Sequence, residues 1–220
     1  HQPSGPLLGL KVIDLSSVVM GPYTSQILGD MGAEVLKIES IDGDVFRYTA
    51  PSKHSTMSAS FIQLNRNKQS ISLNLKNLEE KAKLLELISS ADVLLYNIRP
   101  RSMTKLGLDY TSLQELNPRL IYCGVYGFSE DGPYSGKPAY DDLIQAMSGL
   151  ADLQGRNKIE YKPEYLNTVI ADKVTGITAA YAISMALYER EKSGLGQAVD
   201  VPMFETMVSF NLMEHMAEAT

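Results

Sequence analysis

The chain has 220 residues, of which 44% are hydrophobic and 21% are charged, a composition typical of a folded globular protein rather than a disordered one. Its formal net charge of −6 argues against binding to duplex nucleic acid, which requires a basic surface. A single cysteine, Cys123, excludes a disulfide within this chain and a multi-cysteine metal site. We expect no bound metal, no membrane partner and a cytoplasmic location.

The first part of the chain alternates between short apolar runs and helical patterns. Strands are predicted at residues 11–16, 34–39, 70–75, 92–98 and 120–125. Helices are predicted from Pro22 to a stop at Gly32, around residues 78–88 and at residues 110–116. This alternation predicts βαβ units with right-handed crossovers, so the expected fold class is α/β, an open, doubly wound parallel sheet.

The second part of the chain begins with a glycine- and proline-rich loop at residues 127–140. A helix is predicted at residues 141–150, and an exposed polar excursion is predicted at residues 154–167. A long helix at residues 168–191 is rich in small side chains, which predicts close packing against a neighbouring backbone. The pattern ends with an edge strand at residues 197–203 and a helix at residues 204–219.

The loop after the first predicted strand argues against a nucleotide cofactor. It reads SSVVMGP and contains one glycine, so the GxGxxG turn that admits a pyrophosphate is absent. The chain also has neither the GxxxxGK[ST] motif of a phosphate-binding loop nor the GxSxG motif of a hydrolase. A nicotinamide oxidoreductase is therefore only a minor alternative.

Asp172 is the strongest candidate for chemistry. It lies near the start of the long helix among apolar neighbours, where the helix dipole favours the carboxylate and partial desolvation makes it more nucleophilic. The alternative is that Asp172 only caps the helix. Cys123 lies within an apolar strand and is interpreted as a buried hydrophobic residue. Cations that could bind phosphates, or could simply be solvated, flank the third and fourth predicted strands: Arg66, Lys68, Lys76, Arg99, Arg101 and Lys105.

Seven motifs follow one another over nearly the whole chain. They are LKVIDLSSVVMGP, LGDMGAEVLKIE, LNRNKQSISLNLK, ADVLLYNIRPRSMTKLGLDY, ELNPRLIYCGVYGF, YDDLIQAMSG and ADKVTGITAAYAISMALYEREKSGLGQAVDVPMFE. Together they resemble the class III CoA-transferase family, which includes formyl-CoA and carnitine CoA-transferases and α-methylacyl-CoA racemases. The resemblance implies an acyl-CoA substrate, a small carboxylic acid as acceptor and no permanently bound cofactor. It also implies that Asp172 is the catalytic nucleophile and passes through an aspartyl anhydride and an aspartyl-CoA thioester.

The resemblance further implies a set of CoA-binding residues. Ser40 departs from the family pattern, because formyl-CoA transferase has arginine there, and the missing phosphate contact would come from another cation such as Arg47. Tyr140 stands where the racemases have histidine, which favours a transferase over a racemase because a phenol is a poor proton acceptor at neutral pH. The implied CoA contacts are Val19, Met20, Leu73, Asn74, Leu75, Lys76, Asn97, Ile98, Lys105, Lys137, Tyr140 and Asp141.

The resemblance also implies a domain organisation, because members of the family are roughly twice as long as this chain. Residues 1–205 are expected to form a CoA-binding α/β domain, and residues 206–220 to begin the helical connection to a second, smaller domain. We expect an interlocked homodimer in the full-length protein and little turnover by this chain alone. A non-catalytic CoA-binding chain that a partner completes is the remaining alternative.

Overall fold

A computed structural model describes residues 4–156 and 160–216, and within them six parallel strands form one sheet in the order β3-β2-β1-β4-β5-β6. The chain builds outward from β1 to β3, returns to the centre at β4 and then builds outward on the other side. The carboxyl ends of β1 and β4 therefore form the switch point at which ligands bind in such sheets. The strands are β1 (Lys11–Asp14), β2 (Glu34–Glu39), β3 (Lys68–Ser72), β4 (Val93–Tyr96), β5 (Ile121–Tyr126) and β6 (Gln197–Pro202).

Helices cover both faces of the sheet. In the part of the chain described, no helix has both the length and the apolar character needed to cross a bilayer. The helices are α1 (Met20–Asp30), α2 (Ala59–Asn65), α3 (Leu78–Ser89), α4 (Pro100–Lys105), α5 (Tyr110–Leu116), α6 (Asp141–Met147), α7 (Leu150–Gly155), α8 (Ile170–Ser193) and α9 (Met203–Met216), with a 3-10 helix at Val45–Tyr48.

The apolar side chains of the sheet form a separate core on each face. Leu28 of α1 and Ile183 of α8 belong to the core on one face. Leu84 of α3 and Leu113 of α5 belong to the core on the other face. Because β4 is buried on both faces, its sequence is a continuous apolar run rather than an alternating one. The predicted doubly wound α/β fold is confirmed.

Several predicted boundaries are wrong. The third strand begins and ends earlier than residues 70–75, and α2 and α4 were not predicted. The single helix expected at residues 141–150 is divided into α6 and α7, because Gly149 between them has a φ of +81°. The expected excursion at residues 154–167 begins inside α7, its residues 157–159 lie outside the described residues, and residues 160–167 have no regular structure. Residues 217–219 of the predicted last helix also lie outside the described residues.

The small residues of α8 allow it to pack closely on α1, as the sequence predicts. A Cβ atom added at Gly176 would lie 2.9 Å from the backbone oxygen of Met20 and 3.1 Å from Cδ1 of Tyr23. The Thr24 hydroxyl donates a hydrogen bond of 3.1 Å to the Gly176 carbonyl at the same crossing. The start of α1 is thus fixed against the first half of α8.

Replacing Gly176 with Ala is expected to destabilise the chain by about 1–2 kcal/mol, because the added methyl group must displace backbone, which outweighs the better helix propensity of alanine. Urea unfolding measures the change. Ser184→Ala, at an exposed site on the same helix, is the control and should change stability much less. An equal or higher stability of Gly176→Ala would contradict the close crossing.

Candidate active site

Asp172 lies in the first turn of α8, facing the loop that joins β1 to α1. The Asp172 side chain lines a cavity of about 250 Å³ together with Val19 and Met20 from the start of α1. The Met20 backbone N–H donates a hydrogen bond to the Asp172 carboxylate. We call this space the nucleophile cavity. It lies at the carboxyl ends of the central strands, where Tyr126 of β5 forms part of its wall.

The pKa of Asp172 is raised to about 7. Burial of the carboxyl group is the largest cause, and the negative charge of Asp141 adds to it, while the hydrogen bond from Met20 opposes both. A carboxylate that has few solvent contacts and stands near another negative charge is a stronger nucleophile than one in water. Near neutral pH a large fraction of Asp172 is ionised and can therefore act as a nucleophile.

Asp141 organises the start of α8. Its Oδ2 accepts a hydrogen bond of 3.0 Å from the backbone N–H of Asp172, and its Oδ1 accepts one of 2.6 Å from Nε2 of Gln145. Gln145 is buried, and its Oε1 accepts a hydrogen bond of 2.8 Å from the backbone N–H of Leu166. Asp141 therefore satisfies a free N–H group of α8, a helix whose own N-cap, Val169, makes no side-chain bond. The Asp172 carboxylate is left facing Met20.

The nucleophile cavity contains about half of the CoA contacts implied by the resemblance. Two cations belong to its wall, Arg99 and Lys137, and the Lys137 ammonium lies 4.9 Å from the centre of the Tyr134 ring. The predicted contacts that line this cavity are Val19, Met20, Asn97, Lys137, Tyr140 and Asp141.

A second space, which we call the strand-end cavity, has a volume of about 730 Å³ and lies at the ends of β1, β2 and β3. Lys105 is exposed at the end of α4, and its neighbour Leu106 lines this cavity. The other predicted contacts in its wall are Leu73, Asn74, Leu75, Lys76 and Ile98. The predicted contacts thus fall into two groups at the same edge of the sheet.

A pair of hydrogen bonds connects the walls of the two cavities. Asn97, at the end of β4, lines the nucleophile cavity, and Ser17, in the loop after β1, lines the strand-end cavity. The Asn97 side chain accepts from the Ser17 N–H at 3.0 Å and donates to the Ser17 carbonyl at 2.7 Å. This exchange fixes the β1–α1 loop against the neighbouring strand at the switch point.

Three cations proposed from the sequence bind carboxylates instead. Arg66 pairs with Asp30 at 2.5 Å, and the buried Lys68 pairs with Asp14 at 3.2 Å, so neither is placed to bind a phosphate. The Arg47 guanidinium makes two hydrogen bonds to Glu39, of 2.6 and 2.7 Å, and covers the Phe61 ring at 4.0 Å. Arg47 is therefore poorly placed to supply the phosphate contact missing at Ser40. Lys76 and Lys105 remain as candidates for it.

Gln145 was not predicted as a site residue, although Asp141 and Gln145 are four residues apart and so share one face of a helix. The interpretation of Cys123 as a buried hydrophobic residue is confirmed, since the thiol is fully buried and burial raises its pKa. Within residues 4–156 and 160–216, no group of three or more His, Cys, Asp or Glu side chains is placed to hold a metal ion.

Residues 7–220 match CoA-transferase family III. The chain belongs to this family. An acetyl-CoA:oxalate CoA-transferase from Acetobacter aceti is 41% identical over 211 residues, which are 95% of this chain and 54% of that protein. A succinate–glutarate CoA-transferase from Agrobacterium fabrum is 38% identical over 207 residues, which are 91% of this chain and 51% of that protein.

Solved structures agree with this assignment. The crystal structure of a CAIB/BAIF family protein from Brucella suis superimposes with a TM-score of 0.92 at 35% identity, covering 99% of this chain and 59% of that one. The chain spans about half the length of the curated relatives it matches.

Proposed function

We propose that the chain transfers CoA from an acyl-CoA to a small carboxylic acid, with Asp172 as the covalent nucleophile. One observation carries the proposal: a half-buried carboxylate with a pKa of about 7 lines a cavity at the switch point of the sheet. Membership of CoA-transferase family III supports the choice of CoA as the transferred group. The relatives named for oxalate, succinate and glutarate support a carboxylic acid as the acceptor.

In the first half-reaction, an Asp172 oxygen attacks the thioester carbonyl carbon, the C–S bond breaks, and CoA leaves as the thiolate. The thiolate then attacks the Asp172 carbonyl of the resulting anhydride, which releases the donor acid and leaves an aspartyl-CoA thioester. In the second half-reaction, the acceptor carboxylate displaces the thiolate to form a new anhydride. The thiolate attacks the acceptor carbonyl, which regenerates Asp172 and yields the new acyl-CoA.

A carboxylate suits this cycle better than a hydroxyl nucleophile. An anhydride is about as activated as a thioester, so each intermediate can react onward without a large uphill step. A serine ester would be too stable to return its acyl group to a thiolate. The four steps also need no net proton transfer, because carboxylates and thiolates replace one another.

The two cavities divide the substrate between them in this proposal. The adenosine and phosphate portion of CoA binds in the strand-end cavity, with Lys76 and Lys105 near the phosphates, and the thioester reaches Asp172 in the nucleophile cavity. Val19 and Met20 line the end at which the thioester reacts. Asn97 fixes the loop between the two portions.

A racemase would need a second group that transfers a proton, in addition to Asp172. Tyr140, at the position of the racemase histidine, is an exposed phenol, which is a poor proton acceptor at neutral pH.

The division into residues 1–205 and 206–220, the interlocked homodimer and the cytoplasmic location stay predictions. So does low turnover by this chain alone.

Trapping the thioester tests the function directly. The chain is incubated with an acyl-CoA and then treated with hydroxylamine, which converts an aspartyl thioester into a hydroxamate that mass spectrometry can locate. We expect the label on Asp172 in up to one equivalent per chain, and only after exposure to acyl-CoA. A single turnover suffices, so slow cycling does not obscure the result.

Asp142→Asn is the matched control, because Asp142 is an exposed carboxylate in α6 beside Asp141. This variant should be labelled as strongly as the wild type, while Asp172→Asn should not be labelled. If CoA binds but no hydroxamate forms on Asp172, the chain is a non-catalytic CoA-binding chain and the proposal is wrong.

A further inference from the structure

The backbone of residues 16–18, in the loop between β1 and α1, is held by side chains from β1 and β2, by Asn97 directly after β4 and by a neighbouring loop. The Ser16 N–H donates to the Asp14 carboxylate at 2.8 Å, and both backbone groups of Ser17 bond to Asn97. A loop whose polar groups are satisfied in this way has one preferred conformation.

The buried part of this frame is an ion pair between Lys37 and Asp44, whose Nζ and Oδ2 atoms are 3.0 Å apart and whose side chains are each 1% exposed. The Lys37 ammonium also donates to the Ser16 carbonyl at 2.7 Å. Both Asp44 oxygens lie 3.3 Å from the Val18 N–H, and one accepts from the Phe46 N–H at 3.0 Å. The pair thus holds the loop at two points, before and after Ser17.

Val18, which this frame fixes, has an unfavourable backbone conformation. Its φ is +70°, in the left-handed region that a β-branched residue rarely adopts. Such a conformation persists only when the surrounding contacts enforce it. Two residues later the chain enters α1 at Met20, whose N–H donates to the Asp172 carboxylate. Relaxation of Val18 would therefore redirect the Met20 N–H.

We propose that Lys37 and Asp44 are positioning residues, which hold Val18 in its left-handed conformation and so direct the Met20 N–H at the Asp172 carboxylate. Stability alone does not account for this pair, because replacing a buried ion pair with apolar residues is often neutral for folding. Its catalytic consequence rests on the proposed function: without the Met20 bond, Asp172 would be less ionised and less well oriented at neutral pH.

The double variant Lys37→Met with Asp44→Asn tests this, because it removes the pair without leaving an unpaired charge. Nuclear magnetic resonance follows the carboxyl carbon of Asp172 and the amide of Met20 during a pH titration. In the wild type we expect a midpoint near 7 that both signals share. In the double variant we expect the Asp172 midpoint to rise by about half a pH unit or more and the Met20 amide to stop following it.

The other charged groups in the wall of the nucleophile cavity are unchanged in the double variant: Arg99, Glu130, Lys137 and Asp141. Arg190→Met is the matched control, because it breaks another ion pair, far from Asp172 at the amino end of the sheet. In that pair the Arg190 guanidinium lies 2.9 Å from the Asp92 carboxylate, and the Arg190 side chain is 3% exposed. This variant should lower stability and leave the Asp172 midpoint in place.

An unchanged Asp172 midpoint in the folded double variant, or an equal rise in Arg190→Met, would overturn the proposal. If the double variant does not fold in buffer alone, both it and the wild type are titrated in sucrose, an excluded osmolyte that favours the folded state. The same rise of the Asp172 midpoint is expected there, and no rise would be contrary evidence. The titration is independent of hydroxylamine trapping, so the two proposals can fail separately.

Discussion

Asp172→Asn should abolish CoA transfer and, at pH 8, make the folded chain more stable. Transfer should fall by at least about 10³-fold, because an amide cannot form the anhydride on which the other steps depend. Stability should rise by about 2 kcal/mol at pH 8, because the variant no longer holds a charge in a poorly solvated site.

The pH dependence of this gain follows from the raised pKa. Asp172 titrates at about 7 in the folded chain and near 3.8 when unfolded, so the folded state binds more protons between these values. The free energy of unfolding of the wild type therefore decreases as the pH rises from about 4 to about 7, by at most about 4 kcal/mol. Asp172→Asn should lack this decrease, so the gain is small at pH 4 and constant above pH 7.

Urea unfolding at several pH values measures the gain, with Asp142→Asn as the control for an exposed carboxylate. A variant that loses activity and also loses stability at pH 8 would show that the carboxylate supports the fold. That result would contradict the description of Asp172 as a poorly solvated carboxylate whose charge costs stability. Activity requires the ionised carboxylate, so the wild-type rate should fall as the pH drops below 7.

The fold class could be predicted because its signal is local. The strands β4 and β5 are buried on both faces, so each reads as an unbroken apolar run between turn residues. The error at β3 arises because this edge strand is mostly exposed, and its limits are set by pairing with β2, where Lys68 lies opposite Val35. Helix α2 was missed because it has only seven residues, of which only Phe61 and Leu64 are buried, so it shows no extended helical pattern.

The candidate nucleophile could be predicted, but its environment could not. Asp172 was identified by its place at a helix start and by the resemblance. Its raised pKa comes first from burial and then from the charge of Asp141, which is 31 residues earlier in the chain. Lys68 was interpreted as a phosphate-binding or solvated cation, because nothing near it in the sequence indicates burial. It is buried against Asp14, which is 54 residues away. Local patterns identify residue types that suit a site, while contacts between distant segments decide their charges and roles.

Asp14→Ala is expected to cause the largest loss of stability. The fully buried Asp14 carboxylate lies 3.2 Å from the Lys68 ammonium and accepts a hydrogen bond of 2.5 Å from the Ser25 hydroxyl. Burial raises its pKa, but the charges of Lys68 and Lys37 and the hydroxyls of Ser16 and Ser25 outweigh burial and hold the pKa at about 2. Removing the carboxylate leaves two buried ammonium groups with too little negative charge, at a cost of about 3–5 kcal/mol.

Asp14 should also determine part of the acid sensitivity of the chain. Its folded pKa of about 2 lies below the value of 3.8 in the unfolded chain, so its stabilising effect is complete above pH 4 and is lost as the pH falls toward 2. The loss in this window is about 2 kcal/mol, and Asp14→Ala should not show it. Asp30→Ala is the control, because Asp30 binds the partly exposed Arg66, and its effect should be much smaller. Equal effects of the two substitutions on urea unfolding would mean that the charges beneath the β1–α1 loop are solvated. The β1–α1 loop would then lack the rigidity that it needs to position Met20 beside Asp172.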